Sequence, residues 1–218
     1  MKINYKSVFF DLDGTLIDTL EDIAASMNKA LKLRGFPELP TGDYRDKVGW
    51  GINRLAYLCI PEGERKPETV DLVASCAAEF YAETPLLYSR PYPGILELLS
   101  VLKHRKIRMS VITNKPDPVA QKVLASLFPA DTFECVRGEI MGSPRKPDPA
   151  CVWEVLVDLD LMPSSIIIMG DSEIDMEMAT ASGCYALGVS WGYRSRDTIE
   201  KAGARKIIDH PDELLEFF

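Results

Sequence analysis

From residue 95 to residue 217 the chain alternates short apolar runs with helix-like segments. This alternation limits the folds open to it more than any other feature. Residues 107–113, 132–137, 165–170, 185–189 and 206–208 read as strands, rich in β-branched and aliphatic side chains. The intervening stretches 95–103, 116–127, 149–156, 173–182, 197–202 and 211–217 read as helices. Strands separated by helices need crossovers that set them parallel and cover both sheet faces. The expected fold class is therefore α/β, with a doubly wound parallel sheet. One more strand precedes this region, at Ser7-Val8-Phe9-Phe10. Between it and the alternating part, nothing reads as a strand. Helices are expected at 18–34, where Asp18 sits at the start, and at 52–58 and 68–83. The all-helical block interrupts the α/β domain after its first strand. The expected organisation is an α/β core of 1–15 and 86–218 with a helical insertion at 16–85.

The first strand stops at a carboxylate, in Asp11-Leu12-Asp13-Gly14-Thr15. Side chains two apart on a strand share a face, so Asp11 and Asp13 aim at one spot past the strand end. Gly14 lets the backbone turn there. Open parallel sheets bind ligands at such carboxyl ends. Two acids this close repel unless a cation or a shared proton relieves them, which favours a divalent metal, Mg²⁺ above others. An acidic turn held by local hydrogen bonds is the competing account of the same residues.

Three later stretches carry further candidates. Strand 107–113 ends at Thr113-Asn114, where a hydroxyl either caps the next helix or donates to a ligand. In Arg145-Lys146-Pro147-Asp148-Pro149, Asp148 and Pro149 make a helix start, while Lys146 alone reads as a surface lysine. In Gly170-Asp171-Ser172-Glu173-Ile174-Asp175, a buried strand again ends in an acid. Asp171 and Asp175, four apart, share a helix face; first-turn acids favoured by the helix dipole are the alternative.

The chain has 218 residues, 46% of them hydrophobic, and a net charge of −8. The acidic balance argues against a nucleic-acid or anionic-membrane partner, and a bound metal still leaves room for a phosphate substrate. Five scattered cysteines with no Cys-x-x-Cys pair fit reduced thiols in the cytoplasm. The start at Met1-Lys2 is not followed by the apolar core of a signal peptide. No apolar run reaches the ~20 residues of a transmembrane helix.

Asp11-Leu12-Asp13-Gly14-Thr15-Leu16-Ile17-Asp18-Thr19 resembles the first motif of the haloacid dehalogenase (HAD) superfamily, in its phosphoglycolate phosphatase-like branch. Thr113, Lys146 and Gly170-Asp171 with Asp175 match the second, third and fourth motifs in the family's order. The resemblance implies a Rossmann-like core with a helical cap and a Mg²⁺-dependent phosphatase acting on a small phosphate ester. It makes Asp11 the nucleophile that forms an aspartyl-phosphate, and Asp13 the general acid and base. Thr113, Asn114 and Lys146 become phosphate-binding groups. Asp11, the Asp13 backbone carbonyl and Asp171 become metal ligands, with Asp175 acting through water or by steadying Lys146. In the helical block, Gly49 and Arg54 are the candidate substrate-facing residues, with Lys47 beside them. The same motifs serve phosphosugar mutases of the β-phosphoglucomutase type, although Thr15-Leu16 leans toward hydrolysis. A non-catalytic binding module on this fold is a third possibility, opposed by the presence of every catalytic residue type.

Overall fold

A computed structural model describes residues 5–218; residues 1–4, part of the expected core segment and of the signal-peptide reading, lie outside the described residues. The chain folds as two compact units, one running up to Ile17 and from Pro91 to Phe218, the other Asp18–Arg90.

The first unit is an α/β layer structure. Six parallel strands lie in the order β5-β4-β1-β6-β7-β8, namely β1 (Ser7–Phe10), β4 (Arg108–Pro116), β5 (Cys135–Glu139), β6 (Ile166–Gly170), β7 (Tyr185–Val189) and β8 (Lys206–Ile208). The chain builds outward from β1 to β4 and β5, then returns to the other side of β1 for β6, β7 and β8. That reversal puts a crevice beyond the carboxyl ends of β1 and β6. The central strands are buried along their whole length, as SVFF and IIIMG require, because helices cover both faces of a parallel sheet. The helices α4 (Ile95–His104), α5 (Asp117–Leu127), α6 (Ala150–Asp158), α7 (Glu173–Ser182) and α8 (Arg196–Lys201) connect the strands. Phe9, Ile166 and Ile168 meet Val152, Val155, Met176 and Met178 in one continuous core.

Two short strands, β2 (Ile17–Asp18) and β3 (Arg90–Pro91), mark the points where the chain leaves and re-enters this unit. The second unit is helical: α1 (Leu20–Leu33), α2 (Ile52–Cys59) and α3 (Pro67–Glu83). Its ends are fastened by Asp22, which is buried on α1. The Asp22 carboxylate accepts from the Tyr88 and Ser89 backbone N–H groups, the latter at 2.7 Å, and from the Ser89 hydroxyl at 2.5 Å.

The observed elements correct several boundaries. β4 runs on to Pro116, so Thr113 lies within the strand and not at its end. β5 starts at Cys135, because Thr132 is taken up in a turn over 129–132, its N–H donating to the Pro129 carbonyl. The helix starts expected at Asp18 and Pro149 fall slightly later, at Leu20 and Ala150; Asp18 and Asp148 accept from the N–H groups of those two residues instead. The last helix, Pro211–Phe217, is of the tighter 3₁₀ type. The units divide at 17/18 and 90/91 where the sequence reading placed 15/16 and 85/86.

Replacing Asp22 with Ala removes the acceptor of three donors and leaves them without it. Urea denaturation is expected to show a loss of about 2–4 kcal/mol, with Ser89→Ala costing about 1 kcal/mol. A loss within error for Asp22→Ala would show that the clasp does not hold the helical unit.

Candidate active site

Asp11 follows β1 and Asp171 follows β6, so strand pairing sets them side by side. Phe10 is level with Met169 in that register, and the Asp11 N–H donates to the Met169 carbonyl at 2.9 Å. Asp175 lies on the first turn of α7. Its carboxylate accepts from the Ser172 N–H at 3.2 Å and the Ser172 hydroxyl at 2.6 Å. With Ser172 as the N-cap, one turn of sequence fixes both acids relative to β6. Asp11, Asp171 and Asp175 are all buried, and one oxygen from each lies within 4.8 Å of the others.

Lys146 enters this cluster from the loop before α6. Its ammonium lies 2.6 Å from Asp11 Oδ1 and 2.7 Å from Asp175 Oδ1, with the side chain only 4% exposed. Burial alone would lower the Lys146 pKa, but Asp11 and Asp175 outweigh burial and raise it. The lysine is therefore a fixed cation. Asn114 holds the loop that delivers it: the Asn114 side-chain N–H donates to the Lys146 carbonyl at 3.0 Å. That bond takes one of the two amide hydrogens of Asn114, the residue expected to bind phosphate. Thr113 is buried one residue earlier, and its Oγ1 accepts from the Lys115 N–H at 3.2 Å.

Asp13 meets a partner that the sequence reading gave no role. The Lys115 ammonium sits 2.8 and 3.0 Å from the two Asp13 oxygens. Lys115 and Thr113 are two apart on β4 and share a face. The parity argument that joined Asp11 to Asp13 applies here as well and was the available signal. Thr15 donates its hydroxyl to Asp171 Oδ1 at 3.1 Å. Tyr193, on the loop after β7, donates its N–H to Asp171 Oδ2 at 2.7 Å. Gly49 and Arg54 belong to the helical unit. Gly49 has φ of +115° and Arg54 is exposed, its guanidinium 5.0 Å from the Tyr57 ring centre.

The donor set fits a divalent metal. Asp11, Asp13, Asp171 and Asp175 bring four carboxylates, and Lys115 and Lys146 bring two ammonium groups. A double negative charge is left over in a buried space lined by oxygens, which are the ligands hard cations take. Without a cation, Asp11 and Asp171 resist ionisation. Burial, then the Asp175 charge, hold Asp11 well above the usual carboxylate range. The same causes in the same order push Asp171 up to about 7.

The model of the haloacid dehalogenase-like hydrolase family matches residues 8–189. The phosphoglycolate phosphatase of Rhodospirillum rubrum is 35% identical over 210 residues, covering 94% of this chain and 87% of its own. That of Aquifex aeolicus is 31% identical over 186 residues, covering 85% of each. The crystal structure of a predicted phosphoglycolate phosphatase from Haemophilus somnus superposes with a TM-score of 0.90 at 28% identity, covering 97% of both chains. The chain belongs to the haloacid dehalogenase-like hydrolase family. Its chemistry is that of a phosphatase, a phosphoric monoester hydrolase. The six-stranded parallel sheet agrees with the Rossmann-like fold expected from the sequence. Among the described residues, no helix is long and apolar enough to cross a membrane.

The raised Asp171 pKa has a measurable sign. Between about pH 4, the ordinary carboxylate value, and about pH 7 the metal-free folded protein binds more protons than the unfolded chain. Its stability therefore falls as pH rises through that window. A divalent cation must displace the same proton, so its affinity is expected to climb as pH rises toward about 7. Urea denaturation in EDTA checks the first sign and calorimetric titration of Mg²⁺ the second; a metal-free stability that rises across this range, or an affinity flat from about pH 5 upward, would contradict them.

Proposed function

We propose that this protein is a Mg²⁺-dependent phosphatase that hydrolyses a small phosphorylated metabolite, phosphoglycolate or a similar ester, through an aspartyl-phosphate on Asp11. The carrying observation is the buried cluster of Asp11, Asp171 and Asp175 at the sheet's reversal point, with Lys146 between Asp11 and Asp175. The names of the relatives support the substrate class. A cytoplasmic setting and a free small molecule as partner belong to the same reading, in keeping with the bacterial phosphoglycolate phosphatases that the chain resembles.

Mg²⁺, when bound by Asp11, Asp171 and the Asp13 backbone carbonyl, with Asp175 behind them, supplies charge neutralisation that lets a phosphate dianion approach. The protein's own groups do the remainder. Lys146 draws Asp11 Oδ1 aside, which leaves the other Asp11 oxygen to attack phosphorus in line with the departing oxygen. The bond from phosphorus to the ester oxygen breaks as the Asp11 oxygen's bond to phosphorus forms. Asp13 passes a proton to the departing alkoxide, then accepts one from the water that hydrolyses the phosphoaspartate. The Lys115 pair must open for this, since both Asp13 oxygens now face its ammonium. Thr113 and Lys146 hold the phosphoryl oxygens, and Asn114 contributes by keeping Lys146 in place. In the helical unit, Gly49 and Arg54 are assigned to the non-reacting part of the substrate, where a guanidinium suits an anionic group.

Asp11→Asn is expected to remove hydrolysis of an aryl phosphate by at least about four orders of magnitude, as loss of a nucleophile does, with an unchanged circular dichroism spectrum. Retention of substantial turnover would exclude Asp11 as the nucleophile. Asp13→Asn is expected to slow esters of poor leaving groups far more than aryl phosphates, because proton donation contributes about 10²–10⁴-fold only where the alkoxide needs it. An equal loss for both classes would assign Asp13 another role. A panel of phosphorylated metabolites, scored for inorganic phosphate against isomer formation, identifies the substrate and separates hydrolysis from mutase chemistry.

A further inference from the structure

We propose that the loop Trp191–Arg194, after β7, is a positioning element that sets the Asp171 carboxylate for cation binding. This inference rests on the metal reading above. The loop lies outside the four motifs, and no role in the chemistry has so far been given to it.

Three chain segments lock together around one carboxylate. Gly14 and Gly192 flank Asp171 so closely that a Cβ on either would overlap its side chain. Gly192 is therefore needed for space, since its backbone lies outside the left-handed region. The following residue, Tyr193, gives its N–H to Asp171 Oδ2 at 2.7 Å, and Thr15 gives its hydroxyl to Oδ1 at 3.1 Å. Each oxygen thus receives one donor and keeps lone-pair capacity for a cation. The Trp191 indole N–H closes the ring by donating to the Thr15 carbonyl at 3.1 Å. The Thr15 turn is thereby held by the same loop whose backbone holds Asp171. Arg194, nearly buried, fastens the far end of the loop to Glu173 at 3.0 Å, on the helix that begins just after Asp171.

A carboxylate pinned at both oxygens cannot rotate to meet a ligand, so its direction is fixed before any cation arrives. Outer partners of this kind change metal affinity by about 10–100-fold when removed. The loop meets the site through Asp171 and Thr15. Its residues are positioning residues, and their loss should act on cation affinity and leave the rate at saturating cation largely intact.

The test is calorimetric titration of Mg²⁺ into the substrate-free protein, paired with melting temperature in EDTA and activation of aryl phosphate hydrolysis by Mg²⁺. For Gly192→Ala and for Thr15→Val, Mg²⁺ affinity is expected to fall by about tenfold or more. For Thr15→Val the EDTA melting temperature should stay near wild type, while Gly192→Ala lowers it because the added Cβ displaces Asp171; in both, kcat should recover at high Mg²⁺. Thr15→Ser keeps the hydroxyl and is expected to bind like wild type; Trp191→Phe, which keeps the ring but not the N–H, should fall between. If Gly192→Ala does not fold, the Thr15→Val and Thr15→Ser pair decides. Wild-type affinity in folded Gly192→Ala and Thr15→Val, or a drop in melting temperature with affinity unchanged, overturns the positioning role. A wild-type protein that binds no Mg²⁺ overturns the metal reading itself, and this inference with it.

Discussion

The structure turns on one arrangement: a lysine ammonium wedged between two carboxylates, with a third carboxylate alongside, all out of water. Taking such charges from solvent is costly, and removing one member of a buried pair costs several kcal/mol more because its partner stays uncompensated. The surroundings lower that cost. Asp175 is received by the Ser172 N–H and hydroxyl, and Asp171 by the Tyr193 N–H and the Thr15 hydroxyl. Strand pairing and helix capping, which any α/β protein needs, here also supply the donors that make the acid cluster tolerable. What they leave uncompensated is negative charge, and that remainder gives the cluster its appetite for a cation and a phosphoryl group.

Location follows from topology. β1 is flanked by β4 on one side and β6 on the other, and the connections from β1 and β6 depart in opposite directions. Their carboxyl ends are therefore free of crossing chain, and the residues just beyond them gather in one place. The helical unit is spliced in after β1, on the chain segment that leaves that same place, so its insertion does not disturb the sheet. Lys146 reaches the cluster from the loop between β5 and α6, which explains why a residue that looks solvent-facing in the sequence proves almost wholly buried.

Much of this was legible in the sequence. The strands 185–189 and 206–208 and the helix 173–182 match their observed limits, because their apolar patterns end abruptly at Gly, Ser or charged residues. The carboxylates of the motifs announced themselves by ending apolar runs. Less legible were contacts that cross between loops. Nothing local in Trp191-Gly192-Tyr193-Arg194 marks a backbone N–H as the partner of Asp171, since side-chain identity does not encode a main-chain donor. Asn114 looked like a ligand group because amides suit phosphate; only the fold brings the Lys146 carbonyl within its reach. Lys115 was missed for a different reason, as a lysine at a strand end ordinarily belongs to solvent. The limits of β4 and β5 slipped because 114–116 and 132–134 lack a sharp apolar boundary.

The position of β1 in the sheet bears on how the chain is made. Its neighbour β4 lies on the far side of the helical insertion, so that the Ser7 hydroxyl meets a carbonyl 101 residues along the chain. Its other neighbour, Ile166–Gly170, comes later still. On a ribosome, Val8, Phe9 and Phe10 are synthesised before either strand that will shelter them. The helical unit, Asp18–Arg90, is synthesised in full before β4 emerges. The nascent polypeptide thus carries an unpaired, strongly apolar strand through most of its synthesis, a natural target for chaperones and for mispairing with another copy.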